Sequence, residues 1–512
     1  MYSLTSETTD TTAGRTLIRE QIGKPSARYV LSVLLQFFLF AMTALYACQA
    51  TGDSYADFIQ SCRIGTVLCF ISIFLVLICN RGVAKPGAII MYAFVAFQFG
   101  VPMILAFDPS YTDYVLSNLG PAVLNKSSWY TVVCIQCFAL GSMIASYCGA
   151  KKPQMDRKGV RSNFLSAPPK PHHFLDFALG DEKHVANTSL MIFIIFGVIA
   201  YLYMLWFAAL SFSAGISYAR DVISTNAVRN IARGLFVPSG FMFLVFSDSK
   251  TARKCVFALL VLYGLIGTAS GDRTESMTLL VALAYYYGEM GFGSAGSKLF
   301  MVLALVAILL LLPVVAQHRM GNAFTFDSIG ELVEDVFSET GYNFYSICFQ
   351  TTFSNGLHYG FSYLLSLLAM IPSSLMPSSI AAFFTSNLPS NWIDDVMSSN
   401  FAWATFGQGY SMIAESSYNF GSFGFIVIGL FGFAIQSLIQ VPLSGNEKFS
   451  KYLSLVLLWS FITIPRRGFE FAVNSLEYDI LFMVLIMWLS ANLSKNRVRS
   501  SSRTALGRGE AK

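Results

Sequence analysis

Apolar stretches recur along the whole chain, and many are long enough to cross a lipid bilayer, which restricts the possible folds more than any other feature. A hydrocarbon core about 30 Å thick takes roughly 20 helical residues. Long stretches run over Tyr29–Ala50, Gly87–Phe107, Trp129–Cys148, Leu190–Leu210, Leu299–Ala316, Phe423–Val441 and Leu476–Leu493. Shorter ones cover Ile64–Cys79, Gly234–Phe246, Cys255–Ala269, Met277–Met290, Tyr359–Leu375 and Tyr452–Pro465. Lipid offers no partner to an unpaired backbone group, and the residue-by-residue alternation of a barrel strand is missing, so the stretches read as helices. Composition agrees: 54% of the 512 residues are hydrophobic and 12% are charged, against about 25% charged in soluble domains. The expected fold is all-α, a single polytopic membrane domain of about 12 transmembrane helices spanning 1–512. Met1–Arg28 is polar and the first stretch is too long for a signal-peptide core, so Tyr29–Ala50 is expected to stay as a helix.

Lys and Arg set the expected orientation. The segment 494–512 carries Lys495, Arg497, Arg499, Arg503, Arg508 and Lys512 against Glu510, and 151–187 is likewise rich in Lys and Arg. Both are read as cytoplasmic, as is the tail 1–28. The net charge of +5 then reflects topology and calls for no nucleic acid. Thirteen stretches with both ends inside is an impossible parity, so one does not cross. Ile371-Pro372-Ser373-Ser374 interrupts Tyr359–Leu375, which is therefore read as a re-entrant or interfacial external segment. Removing Gly234–Phe246 instead would reverse the intervening loops and put Lys250, Arg253 and Lys254 outside.

This arrangement exposes 211–233, the turn Ser270–Glu275 and the long region 317–421 on the outer side. Arg220, Arg229, Arg233, Arg273 and Arg319 then lie on the face that should be poor in arginine. A guanidinium grips phosphate oxygens two at a time and stays charged in a dry site, so the set points to an anionic ligand. Arg229 and Arg233, four apart, share a helix face. The plainer alternative is pairing with Asp221, Asp272 or Glu275. His318, next to Arg319, is placed to be a neutral proton acceptor, and of the other histidines only His358 is external. Glu331, Glu334, Asp335 and Glu339 line one side of an amphipathic helix.

Other motifs lead nowhere. Gly291–Gly296 spells G-x-G-x-x-G but has no strand before it, so it reads as a turn. Cys134-Ile135-Gln136-Cys137 lies inside an apolar helix without a second pair, and the nine cysteines read as small packing residues. No metal and no cofactor are expected, and ATP-driven chemistry has no phosphate-binding loop to use.

Two segments carry a family likeness. Met412-Ile413-Ala414-Glu415-Ser416-Ser417-Tyr418-Asn419-Phe420-Gly421, before a late helix, and the turn Ser270-Gly271-Asp272-Arg273-Thr274-Glu275-Ser276 resemble segments of bacterial O-antigen and capsule repeat-unit polymerases of the Wzy type. Asp272 stands where a small residue is common in that family. The resemblance implies metal-independent glycosyl transfer on the outer side of the bacterial cytoplasmic (inner) membrane. Its substrates would be undecaprenyl-pyrophosphate-linked oligosaccharides, with membrane lipids around it and the chain-length regulator and flippase of the pathway as partners. Carried over, Arg273 would hold the pyrophosphate and Glu415 would orient the acceptor or the loop around it. The charge reading adds Arg220, Arg229, Arg233 and Arg319 as phosphate ligands, and the general base would be His318 or Glu415. A flippase would need internal repeats and mid-membrane charges, and neither is evident. A glycan ligase shares the layout and stays open as an alternative.

Overall fold

A computed structural model describes residues 27–49, 52–80, 85–150, 182–223, 227–271, 273–291, 299, 303–308, 310, 329–353, 356–371, 376–400, 410–440, 447–470, 473, 480–481, 483–489 and 492. Among them every element is helical. Seven helices are long and apolar enough to cross a membrane: α1 (Ala27–Gln49), α2 (Tyr55–Asn80), α3 (Pro86–Phe107), Pro121–Cys148 within α5 (Pro121–Ala150), α6 (Glu182–Ala214), α9 (Lys250–Ala269) and the broken helix Met412–Ile439. The short α4 (Tyr114–Asn118) precedes α5, and α7 (Ile216–Ile223) follows α6.

Seven is fewer than about twelve, for identifiable reasons. Leu299–Ala316 and Leu476–Leu493 lie only partly within the described residues. Gly234–Phe246 lies in α8 (Ala227–Phe246), which carries Arg229 and Arg233 in its first two turns and Pro238 inside. Met277–Met290 forms the 13-residue α10 (Arg273–Tyr285) and a π-helical turn, and Tyr452–Pro465 forms the 15-residue α18 (Glu447–Phe461) and a 3-10 turn. The interrupted Tyr359–Leu375 is broken into five-residue α13 (Phe361–Leu365) and a five-residue 3-10 turn, too short to cross. Between α10 and α18 lie also α11 (Ile329–Gly341), α12 (Asn343–Phe353), α14 (Ser378–Ser386), α15 (Pro389–Asn400), α16 (Met412–Phe420) and α17 (Gly424–Gln440).

The packing is that of a protein surrounded by lipid. In α1 the buried residues are Ser32, Gln36 and Thr43, whereas Leu31, Leu34, Phe38 and Leu45 are exposed. A helix turns its polar side inward only where its surroundings are less polar than its neighbours. Gln36 donates to Ser72 Oγ at 3.1 Å and to the Gln136 carbonyl at 3.2 Å, and Gln436 donates to Asn80 Oδ1 at 2.8 Å and Ser146 Oγ at 3.0 Å. Helices α5 and α17 touch backbone to backbone, because a Cβ on Gly141 or Gly432 would collide with main-chain atoms of the other helix and one on Gly429 with Cys137 Sγ at 2.7 Å. Such close approach is how helices associate without a hydrophobic driving force.

Helices α1, α2, α3 and α5 pack with α11, α12, α16 and α17, while α6, α8, α9 and α10 form a second group. Helix α18 touches α8 and α10 on one side and α3 and α17 on the other, joining the two groups. At its start Lys448 binds Glu182 at 2.8 Å and Asp248 at 3.5 Å, at the beginning of α6 and just past the end of α8. The far ends of α8 and α18 therefore share the opposite end of the bundle, where Arg229, Arg233 and the residues after Phe461 lie.

Candidate active site

Glu415 sits at that opposite end, fully buried in α16. Ser411 starts the helix, its hydroxyl accepting from the backbone of Ile413 at 3.2 Å and Ala414 at 3.3 Å. The same hydroxyl donates to Gln98 of α3. The helix stops at Gly421, whose φ of +57° is a conformation that side-chain-bearing residues rarely adopt. Tyr130 of α5 donates to the Gly421 carbonyl at 3.2 Å. Glu415 is thereby held against α5 and α3 before any substrate is considered.

Both of its carboxylate oxygens are engaged. Oε1 accepts from Ser362 of α13 at 2.6 Å, and Oε2 accepts from the backbone N–H of Phe469 at 2.6 Å. Asn419, one turn on, donates to Ser362 Oγ at 2.6 Å and to the Glu415 carbonyl at 2.9 Å, while its side-chain oxygen accepts from Ser362 N at 3.3 Å. One side chain thus fastens the interrupted segment around Ser362 to the stretch after α18. That stretch is pinned a second time, as Gln98 and Asn343 both donate to the Pro465 carbonyl, the latter at 3.4 Å.

The pinned loop, Ile464-Pro465-Arg466-Arg467-Gly468-Phe469-Glu470, brings in residues that the sequence reading missed. Pro465 follows α18 within a short 3-10 turn closed by Arg466 N to Thr463 O at 3.0 Å and Arg467 N to Ile464 O at 3.2 Å. Two adjacent arginines and an acid just past the end of an apolar helix, on the expected outer side, were the signal available. Burial holds the Glu470 carboxyl above the ordinary carboxylate range, against its own backbone N–H, the nearby Arg467 guanidinium and a hydrogen bond from Ser390, which act the other way. Tyr363 packs its ring on Phe469 at 5.1 Å and on Phe431 at 5.9 Å. Above α16, His358 stacks on Tyr418 with centroids 3.7 Å apart, and Trp392 of α15 reaches Tyr418 at 5.4 Å. Partial burial lowers the His358 pKa, so its imidazole is neutral near pH 7.

A second polar place lies on the other helix group. Arg229 and Arg233 share one face of α8, as their spacing requires, and both meet Glu275 in the first turn of α10. Arg229 Nη2 lies 3.9 Å from Glu275 Oε2, and Arg233 forms the closer pair. Their side chains are only 10% and 21% exposed, which makes the charges strong. Arg229 also covers the Phe207 ring at 5.9 Å. Glu275 is thus one of the three acids open as a partner, and it serves both arginines.

Arg273 is the first residue of α10, two positions before Glu275, and Arg220 lies in α7; their side chains are outside the described residues, as is Asp272. His318 and Arg319 also fall outside. The structure therefore joins Arg229, Arg233 and the start of α10 in one corner, and places Glu415 in a separate network. The acidic helix predicted at Glu331–Glu339 is present as α11 and packs on α3. Cys134 and Cys137 lie in α5, where Cys134 is buried and Cys137 touches the glycine contact with α17.

A multi-pass helical protein with a buried carboxylate network and an arginine corner at one end belongs to the class of polytopic membrane proteins. The family model for O-antigen polysaccharide polymerase Wzy matches residues 29–497, and the chain belongs to that family. No curated protein and no solved structure matches it. The chain is accordingly a membrane protein of O-antigen polysaccharide biosynthesis.

Proposed function

We propose that the chain joins undecaprenyl-pyrophosphate-linked oligosaccharide repeat units into O-antigen at the outer face of the cytoplasmic membrane. The observation that carries this reading is the family match over nearly the whole chain, together with two charged places at one end of the bundle. In this reading the arginine corner receives the donor's diphosphate. Arg229 and Arg233 are already oriented by Glu275, so little reorganisation is needed when the diphosphate gains charge as the glycosidic bond breaks. Arg273, Arg220 and Arg319 complete the anion site, and His318 stands as a candidate proton acceptor in the same outer region. Glu415 orients the loop that carries Arg466 to Glu470, since both of its oxygens are used in holding two segments together.

The test follows from the order of the pathway. A carrier acts before any external glycan exists, whereas a polymerase acts on units already outside. A deletion strain is expected to show lipid A-core bearing one repeat unit and no ladder of longer chains. Bare core with lipid-linked units retained inside would instead favour a flippase.

A further inference from the structure

Beside the loop held by Glu415, the Tyr410 hydroxyl lies close enough to Glu415, Tyr363 and Glu470 to feel their charges. Three buried polar atoms belong to this neighbourhood, Glu470 Oε2, the Tyr410 hydroxyl and the Tyr363 hydroxyl, with Tyr410 near both of the others, and none has a hydrogen-bond partner among the described residues. They come from three segments, 363, 410 and 470. Phe469 ties them together, with its ring on Tyr363 and its N–H on Glu415. The Glu470 carboxyl folds back over Gly468, where an added Cβ would stand 2.7 Å from its Cδ. Buried polar groups are nearly always satisfied, so several unsatisfied ones around one place indicate a missing polar occupant.

The occupant must donate to a carboxylate while meeting phenolic hydroxyls, which can donate or accept. A sugar hydroxyl does both. We propose that Glu470 is the base that deprotonates the attacking hydroxyl of the acceptor sugar, with Tyr410 and Tyr363 holding that sugar. This assignment rests on the polymerase reading above. In the step, the acceptor O–H proton passes to the Glu470 carboxylate and the acceptor oxygen bonds to the donor's anomeric carbon. The bond from that carbon to the diphosphate breaks, and its electron pair leaves with the diphosphate. Glu415 remains a positioning residue, because its oxygens are occupied by Ser362 and Phe469.

The groups facing Glu470 are Glu415 from α16, Tyr410 just before it, Ser390 from α15 and Arg467 from the same loop. Burial makes the carboxyl a stronger base than an exposed glutamate. A base must be ionised to act, so the rate is expected to fall as pH drops, along a limb above the ordinary carboxylate range.

The experiment uses the full chain in lipid nanodiscs, with the lipid-linked repeat unit isolated from the deletion strain as both donor and acceptor. The wild type is expected to elongate it. Glu470→Gln is expected to be at least ~100-fold slower, in line with the roughly 10²–10⁴-fold contribution of a general base, with binding of the unit within about threefold and no acid limb in the residual rate. Tyr410→Phe and Gly468→Ala guard against a misfolded Gln variant. The first removes only a hydroxyl and the second pushes the carboxylate aside, and each is expected to slow elongation about tenfold or more. A Glu470→Gln rate within threefold of wild type, or a slow variant that keeps the same acid limb, would overturn the assignment alone. A wild type that binds the unit but never elongates it would overturn the polymerase reading, and the assignment with it.

Discussion

The Glu415 network and the arginine corner lie at the same end of the bundle and are built on opposite principles. Around Glu415 a buried carboxyl is met by neutral donors, the Ser362 hydroxyl and the Phe469 backbone. Around Glu275 an acid is met by two cations whose side chains retain some water contact. The first arrangement fixes a shape, because hydrogen bonds in a dry interior are directional and costly to break. The second fixes a field, because guanidinium charges act over longer distances and tolerate a moving ligand. In the proposed polymerisation the rigid side would receive the acceptor, where a proton is removed, and the charged side the departing diphosphate.

The largest effect is expected from breaking the rigid side. Glu415→Ala leaves the Phe469 N–H and the Ser362 hydroxyl without their acceptor, at a cost of about 1–3 kcal/mol each. It should abolish the O-antigen ladder and lower the melting temperature of the purified protein. A Glu415→Ala protein with wild-type melting and a full ladder would show that the clamp is idle.

A smaller and different effect is expected on the charged side. If Arg273 and Arg233 grip a diphosphate through two-pronged contacts, Arg273→Lys and Arg233→Lys keep charge but should each lose ladder formation by about 10–100-fold. Stability should change little, because Arg233→Lys keeps a positive charge beside Glu275. Full ladder formation in both Lys variants, at normal protein level, would mean that only positive charge matters there.

The smallest effect is expected at the far end. Lys448→Ala removes contacts to Glu182 and Asp248, which are 43% and 97% exposed. Exposed pairs contribute about 0–1 kcal/mol, so melting should fall slightly and the ladder should be unchanged. A lost ladder would imply that the two ends of α8 and α18 are coupled.

Much of this organisation was legible in the sequence. Long apolar runs must become helices in lipid, since every backbone group has to find its partner within the helix, and this rule acts on contiguous residues. The break inside Tyr359–Leu375 was legible from Ile371-Pro372, and the shared face of Arg229 and Arg233 from their four-residue spacing. The segment Met412–Gly421 and the turn at Arg273 carried the family likeness. The count of helices was less legible, because stretches such as Gly234–Phe246 continue into charged turns that composition alone divides differently.

The tertiary structure alone decided what the polar residues do. Nothing near Glu415 in the sequence indicates that Ser362, 53 positions away, and Phe469, 54 positions away, would take both of its oxygens. Glu275 could be placed near arginines from sequence, yet its service to both Arg229 and Arg233 depends on how α8 meets α10. Glu470, Tyr363 and Tyr410 carry no local motif and come near one another only when three distant segments pack together. The physical reason is one of range. Hydrophobic pattern and backbone satisfaction are properties of neighbouring residues and can be read in order. A hydrogen bond between distant side chains exists only after packing has brought them within about 3 Å and excluded the water that would otherwise serve them.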